Sequence, residues 1–279
     1  MQPWAAGDIN ADGLDDVIIG LPAVIVPLPP DGPFPFAEGA VAVFFGSPTF
    51  PGTVDRLEVD LRSQWGDIIV IGSDPGDGLG FQVAAGDVDG DGIADILAGA
   101  PGGDGPEPYE ARPGAGEVAV VFGVPGGIAG EDRRYVSLAS APTEDAVRLF
   151  GAWATTSEPA GEARGLGSSI IAVSDGAGGA AALAMGNRAL PAGRGRDREW
   201  AGVVDLKFGP VERRDVDLAV QPPDLTIFGA DARDHAGFAL CDGDIDGDGD
   251  GDIVLNAPRA DSRDNSRNDA GEAAVVFLP

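Results

Sequence analysis

Three stretches of this 279-residue chain set acidic side chains at the spacing D-x-[DN]-x-D-G-x-x-D. They are Asp8, Asn10, Asp12 and Asp16; Asp87, Asp89, Asp91 and Asp95; and Asp244, Asp246, Asp248 and Asp252. Oxygens this dense suit a hard cation. Side chains at positions 1, 3 and 5 converge on one point, while glycine at position 6 (Gly13, Gly92, Gly249) permits the sharp turn. Position 7 (Leu14, Ile93, Asp250) offers a backbone carbonyl, and the last Asp closes the shell. Two carboxylates about 4 Å apart repel by roughly 4 kcal/mol at an effective dielectric of 20, so a loop this acidic calls for a counter-ion. Calcium accepts roughly six to eight oxygens in flexible geometry, whereas magnesium holds a tight octahedron and keeps its waters, so the expected cofactor is Ca2+, one ion for each loop. None of the three loops contains a Cys or His to suggest zinc. A solvated Asp/Gly turn that binds nothing explains one such loop more readily than three aligned copies.

An EF-hand begins with the same pattern, but it needs a bidentate Glu at position 12 and flanking helices. Position 12 here is Ile19, Ala98 and Leu255. Apolar residues there make each loop the connection between two strands, the second of them buried.

The elements around the loops repeat. WAAGDINADGLDDVIIGLP (Trp4 to Pro22), VAAGDVDGDGIADILAGAP (Val83 to Pro101) and ALCDGDIDGDGDGDIVLNAP (Ala239 to Pro258) follow one pattern of apolar run, acidic loop, apolar run and small residue before Pro. A fourth, worn copy, Gly165 to Asn187, keeps the apolar flanks and a single loop acid, Asp175. Each copy precedes a third β-rich run: GAVAVFFG (Gly39 to Gly46), GEVAVVFG (Gly116 to Gly123), AGVVDLKFG (Ala201 to Gly209) and GEAAVVFLP (Gly271 to Pro279). Further runs supply a fourth strand: RLEVDL with DIIVIG (Arg56 to Leu61, Asp67 to Gly72), YVSL with VRLFG (Tyr135 to Leu138, Val147 to Gly151), and DVDLAV with LTIFG (Asp215 to Val220, Leu225 to Gly229). Val, Ile and Phe dominate these short runs and no helical period runs through them, so the chain reads as all-β. The inserts Val26 to Phe36, Gly102 to Gly114 and Arg259 to Gly271 are rich in Pro, Gly and charge, fall at one point of the unit and should crowd one rim.

With these residues the chain resembles the FG-GAP repeats of integrin α-subunit propellers and their bacterial relatives. The calcium loop is intact in three copies, the Gly-Ala-Pro element appears as Gly20-Leu21-Pro22, Gly99-Ala100-Pro101 and Asn256-Ala257-Pro258, and the leading Phe-Gly pair is reshuffled to Leu79-Gly80-Phe81, Leu166-Gly167-Ser168 and Ala236-Gly237-Phe238. The resemblance implies a β-propeller of four-stranded blades, with the loop joining the first two strands of each. The expectation is one domain over 1–279, in units of roughly 1–67, 68–146, 147–224 and 225–279, the last lacking its outer strand. Family members usually carry seven blades, so four units read either as part of a larger propeller or as an arc that a second copy completes through its open blade edges.

Composition bounds the function. Forty-six Asp and Glu against eighteen Lys and Arg leave a formal charge of -28, which repels nucleic acid and anionic membranes. No apolar stretch is long enough to insert in a membrane, and MQPWAAGDIN lacks the features of a signal peptide. One cysteine, Cys241, allows no internal disulfide and is expected in the core. The lone His235 has no second His, reactive Cys or Ser elbow to work with, so no catalytic site is expected. Trp4, Trp65, Trp153 and Trp200 are expected to pack the blades rather than stack on sugars. The resulting expectation is a non-enzymatic binding or adhesion module for a protein or glycan, extracellular or at the cell surface, where loops with Kd roughly 0.1–1 mM fill with calcium. The alternative is an accessory repeat region of a secreted hydrolase or phospholipase-type enzyme.

Overall fold

A computed structural model describes residues 4–26, 37–48, 66–74, 76–106, 112–123, 125, 134–153, 165–190, 198–262 and 267–278. The chain is all-β, with seventeen strands in four sheets and a single 3-10 turn at Leu138–Ser140 among the described residues. The first sheet runs β1 (Trp4–Gly7), β2 (Asp16–Val26), β3 (Ala37–Phe44) and β4 (Ile68–Ile71). The second contains β5 (Gln82–Gly86), β6 (Asp95–Ala100) and β7 (Glu117–Val121); after an intervening β8 (Arg134–Ser137) it continues with β9 (Ala146–Phe150). β10 (Ser169–Ser174), β11 (Ala180–Asn187) and β12 (Val203–Phe208) form the third, which resumes after β13 (Val216–Asp217) with β14 (Leu225–Phe228). The fourth has three strands, β15 (Leu240–Gly243), β16 (Asp252–Ala257) and β17 (Glu272–Val276).

Within each sheet these neighbours are antiparallel. The first strands of consecutive sheets, β1, β5, β10 and β15, pack side by side, so the sheets succeed one another as propeller blades do. Three apolar clusters fill the spaces between them. Ile18, Val41 and Val70 meet Ile96, Ala98 and Ala119; Leu97, Val118 and Leu149 meet Ile170, Leu183 and Met185; Ala184 and Val204 meet Ile253 and Leu255. β6, β7 and β9 are buried along their whole length, which is why they read as continuous rather than alternating apolar runs. Among the described residues no such cluster joins the fourth sheet to the first, and Trp4 and Phe277 stand 61% and 57% exposed at the two ends.

The structure divides the expected fourth strands. DIIVIG, VRLFG and LTIFG are the fourth strands, as β4, β9 and β14. YVSL and DVDLAV are not: their strands β8 and β13 leave their own sheet and pair in parallel with the outer strand of the preceding one, Tyr135 beside Ile69 and Val216 beside Leu149. An outer strand carries unpaired backbone groups, and a strap from the next sheet satisfies them. RLEVDL lies outside the described residues, as do Trp65 and the insert segments 27–36, 107–111 and 263–266. Cys241 is exposed rather than in the core, because β15 belongs to the last sheet, whose outward face nothing in the described chain covers. Trp4 and Trp153 are likewise exposed rather than packed between blades.

Candidate metal centre

Each acidic loop is closed at its base by one ladder pair, Gly7 with Asp16, Gly86 with Asp95, Gly243 with Asp252, so the ninth position of the motif is the first residue of a buried strand. Inside, the three loops repeat one hydrogen-bond network. The first Asp takes backbone N–H groups from the far side of the turn: Oδ2 of Asp8, Asp87 and Asp244 accepts from Gly13, Gly92 and Gly249 at 2.8, 2.8 and 3.2 Å. Oδ1 of Asp87 also accepts from Gly90 and Asp91, and Oδ1 of Asp244 from Gly247. Position 3 (Asn10, Asp89, Asp246) accepts the N–H of position 5, and position 5 (Asp12, Asp91, Asp248) accepts that of position 7 (Leu14, Ile93, Asp250). The backbone is thereby wound so that carboxylates crowd one side.

The result differs among the copies. Carboxylate oxygens of Asp87, Asp89 and Asp95 lie within 4.8 Å of one another, as do those of Asp244, Asp246 and Asp252, so each trio could hold a metal ion. The fifth position, Asp91 or Asp248, is outside these trios. In the first loop Asn10 replaces an acid, and its Nδ2 donates to Asp12 Oδ2 at 3.3 Å. Among the described residues Asp8, Asp12 and Asp16 form no such trio. The worn loop is a turn: Asp175 Oδ1 accepts from Ala177 and Gly179, which holds its carboxyl below the usual range.

The ninth Asp does more than close a shell. Asp16, Asp95 and Asp252 are fully buried. One oxygen accepts from position 2 (Ile9, Val88, Ile245), each at 2.9 Å. The other accepts from the end of the third strand, at Gly46, Gly123 and Leu278 (2.7, 2.8 and 3.1 Å). This carboxylate pins loop to sheet, a role that spacing alone does not announce. Burial pushes Asp95 up to about 7 against the lowering effect of those two bonds, with Asp89 and Asp91 adding repulsion, and it raises Asp16 as well.

Neighbouring loops also bond to one another. Ala94 donates to the carbonyl of Asp8, Ala180 to that of Asp87, and Gly251 to that of Ser174, one step around the arc each time. The second loop carries a further partner from the third sheet's segment, Arg213. Its Nη2 is 2.6 Å from Asp89 Oδ2, its Nη1 donates to the Glu144 carbonyl, and its guanidinium lies over the Phe122 ring.

The FG-GAP repeat family matches residues 79–121 and 236–276, the two segments that carry the carboxylate trios. Over these two segments the chain is similar to FG-GAP repeats. No curated protein sequence matches it. Among solved structures it is similar to a Bacillus licheniformis rhamnogalacturonan lyase of family PL11, at 14% identity and a TM-score of 0.42; the match covers 90% of this chain and spans 39% of the lyase.

The FG-GAP signature glycines have a packing role here. Gly80, Gly167 and Gly237, of the Phe-Gly element, adopt φ of 83, 85 and 75°, a region that side chains avoid. Each donates its N–H to the Gly-Ala-Pro position of its own sheet, to the carbonyls of Gly99, Gly186 and Asn256. Each also abuts that position in the preceding sheet, where a Cβ on Gly20, Gly99 or Gly186 would run into the carbonyl of Gly80, Gly167 or Gly237. The motif is thus a backbone-to-backbone seam between blades.

Buried acids set a pH dependence. Asp77, Glu117, Asp95 and Asp205 are pushed up to about 8, 7, 7 and 6, burial being the largest cause in each. The folded chain therefore holds more protons than the unfolded one between the ordinary carboxylate range and about pH 8, and stability falls as pH rises through that window. In chelator, the urea midpoint is expected to be higher at pH 5.5 than at pH 8, with the slope shallower in Asp77→Asn. A midpoint rising over this range would contradict the assignment.

Proposed function

We propose that this chain is a calcium-binding, non-enzymatic binding module working outside the cell, in which Ca2+ stiffens the loops between first and second strands and the rims meet a protein or glycan partner. The observation that carries the reading is the repetition of one loop network in three sheets, twice with three carboxylates facing one another, against which the second loop sets only the half-exposed Arg213. Side-chain oxygens of Asp87, Asp89 and Asp95, and of Asp244, Asp246 and Asp252, are the ligands of choice, with Asp91 and Asp248 close by on the same turns. The first loop, Asp8 to Asp16, fits the ion less well because Asn10 supplies no charge. When bound, the ion supplies positive charge that allows the carboxylates to stay ionised together, and the loops then hold their neighbours through the Ala94, Ala180 and Gly251 bonds. No helix among the described residues is long and apolar enough to cross a membrane. His235 is accounted for by packing: it is buried 6.1 Å from the Trp200 ring, and its Nδ1 lies 3.0 Å from the Arg188 carbonyl oxygen.

Thermal unfolding with calcium, magnesium or chelator tests the reading. Calcium at about 100 times Kd should stabilise by about 2.7 kcal/mol for each filled site, and magnesium at the same concentration by much less. Equal melting temperatures in calcium and chelator would remove the mechanism. Arg213 gives an internal check, since a guanidinium beside Asp89 opposes a second cation. Arg213→Ala should tighten calcium at the second loop by about two- to fivefold, the range expected of a half-exposed ion pair. Unchanged or weaker affinity would mean that Arg213 only braces the loop.

A further inference from the structure

A cavity of about 330 Å³ opens on the end of the second sheet opposite its acidic loop, lined by Ser73, Asp74, Asp77, Asp104, Glu117 and Arg148. Its acids come from three places: the connection entering β5, the β6–β7 connection and the first residue of β7. Asp77 and Glu117 are 6% and 2% exposed. Burial raises both, and for Asp77 the next causes are Glu117, Asp74 and Asp104. Their shared partner is inadequate. Ser73 Oγ lies 3.5 Å from Asp77 Oδ2 and 3.3 Å from Glu117 Oε1, but a hydroxyl has one proton, so one of the two buried carboxyls always lacks its donor. Arg148 offsets part of the burial of Glu117 by its charge but gives neither acid a hydrogen bond: its Nη2 serves Asp215 at 3.3 Å and the Ala141 carbonyl, and its buried Nε bonds to nothing.

The positions of these acids recur in the fourth sheet, where Asp231 and Glu272 are exposed. Asp74, Asp77, Asp104 and Glu117 sit at the same repeat positions as Asp231, Asp234, Asp261 and Glu272 of the fourth sheet: three residues apart ahead of the leading glycine, three after the proline of Pro101 or Pro258, and directly after Gly116 or Gly271. Asp234 is again buried and raised, with Asp231, Asp261 and Glu272 contributing. Ala40 and Val203 take the Glu117 place in the first and third sheets.

We infer that this cavity binds a primary ammonium group, seated between Asp77 and Glu117 with its stem toward the opening. Four carboxylates against one guanidinium that is already engaged call for a cation. A bare calcium ion holds oxygens about 2.4 Å away and so needs them within 4.8 Å of one another, which no three of these acids achieve although the loops do. An ammonium reaches oxygens at about 2.8 Å, brings three donors to two buried carboxyls that share the single hydroxyl of Ser73, and leaves a cavity of this size room for its stem. The inference is independent of calcium in the loops.

The test is calorimetric titration of the full chain, in saturating calcium at pH 8 and fixed ionic strength, with n-butylammonium. Saturable binding is expected, weakened about tenfold or more by Asp77→Asn and by Glu117→Gln, which retain size and relieve rather than create buried charge, and unchanged by the surface control Glu212→Gln. Titration with N-acetyl-lysine methylamide distinguishes sources: binding points to a lysine side chain of a protein, and its absence, with butylammonium bound, to a free amine. Equal affinity in wild type and both variants, equal binding of uncharged butanol, or displacement of butylammonium by calcium would overturn the assignment.

Discussion

Replacing Asp95 by alanine is expected to lower the melting temperature of the chelated protein by about 6–20 °C. The carboxylate is fully buried and accepts from Val88 on its own turn and from Gly123 at the end of the third strand. Hydrogen bonds to a charged group contribute about 1.5–3 kcal/mol each, and removal leaves two N–H groups buried without acceptors, so the loss should total about 3–5 kcal/mol. Measuring in chelator separates this pin from any ion the loop holds. Asp95→Asn keeps one acceptor oxygen but turns an amide N–H₂ toward the other donor, and should lose about half as much. Differential scanning calorimetry decides: a melting temperature within about 2 °C of wild type would show that Asp95 serves the ion alone.

The second large effect concerns the seam. Gly99→Ala drives a methyl group into the carbonyl of Gly167 in the next sheet, and the obstacle is backbone, which cannot swing aside as a side chain would. Overpacking of this kind costs about 3 kcal/mol or more, and Gly20→Ala should act alike against Gly80. Gly243→Ala is the control, because its methyl would meet only Ile245 Cδ1, at 3.8 Å. Chemical unfolding should show Gly99→Ala strongly destabilised and Gly243→Ala near wild type. Similar midpoints for the two would mean that the blades do not meet at these glycines as described.

Much of the fold was legible because local constraints were strong. Gly13, Gly92 and Gly249 sit where the turn demands positive φ (86, 89 and 105°), and the apolar residues after each loop could only be buried strand. The loop motif, its three copies and the worn fourth followed from that. What could not be read was partnership. VRLFG and YVSL have the same strand character, yet one completes its own sheet and the other straps the sheet before, since a strand signal does not name its neighbour. The ninth Asp looks like a ligand in sequence; its bond to the end of a strand some thirty residues on appears only once the sheet is built. Cys241 and Trp4 carry core-forming chemistry but lie on sheets at the ends of the arc. The Asp77–Glu117 cavity was hidden for a similar reason: its acids are scattered through unremarkable Gly-rich connections until the fold gathers them.

The most direct test of the central claim is the number of calcium ions bound, counted by titration calorimetry on wild type and on Asp87→Asn/Asp89→Asn and Asp244→Asn/Asp246→Asn variants. The account predicts that each double variant loses one of the wild-type sites and that both together leave at most the weaker first loop. No calcium binding by the wild type, or a count unchanged in the variants, would contradict it and return the acidic loops to the role of solvated turns on a repeat scaffold.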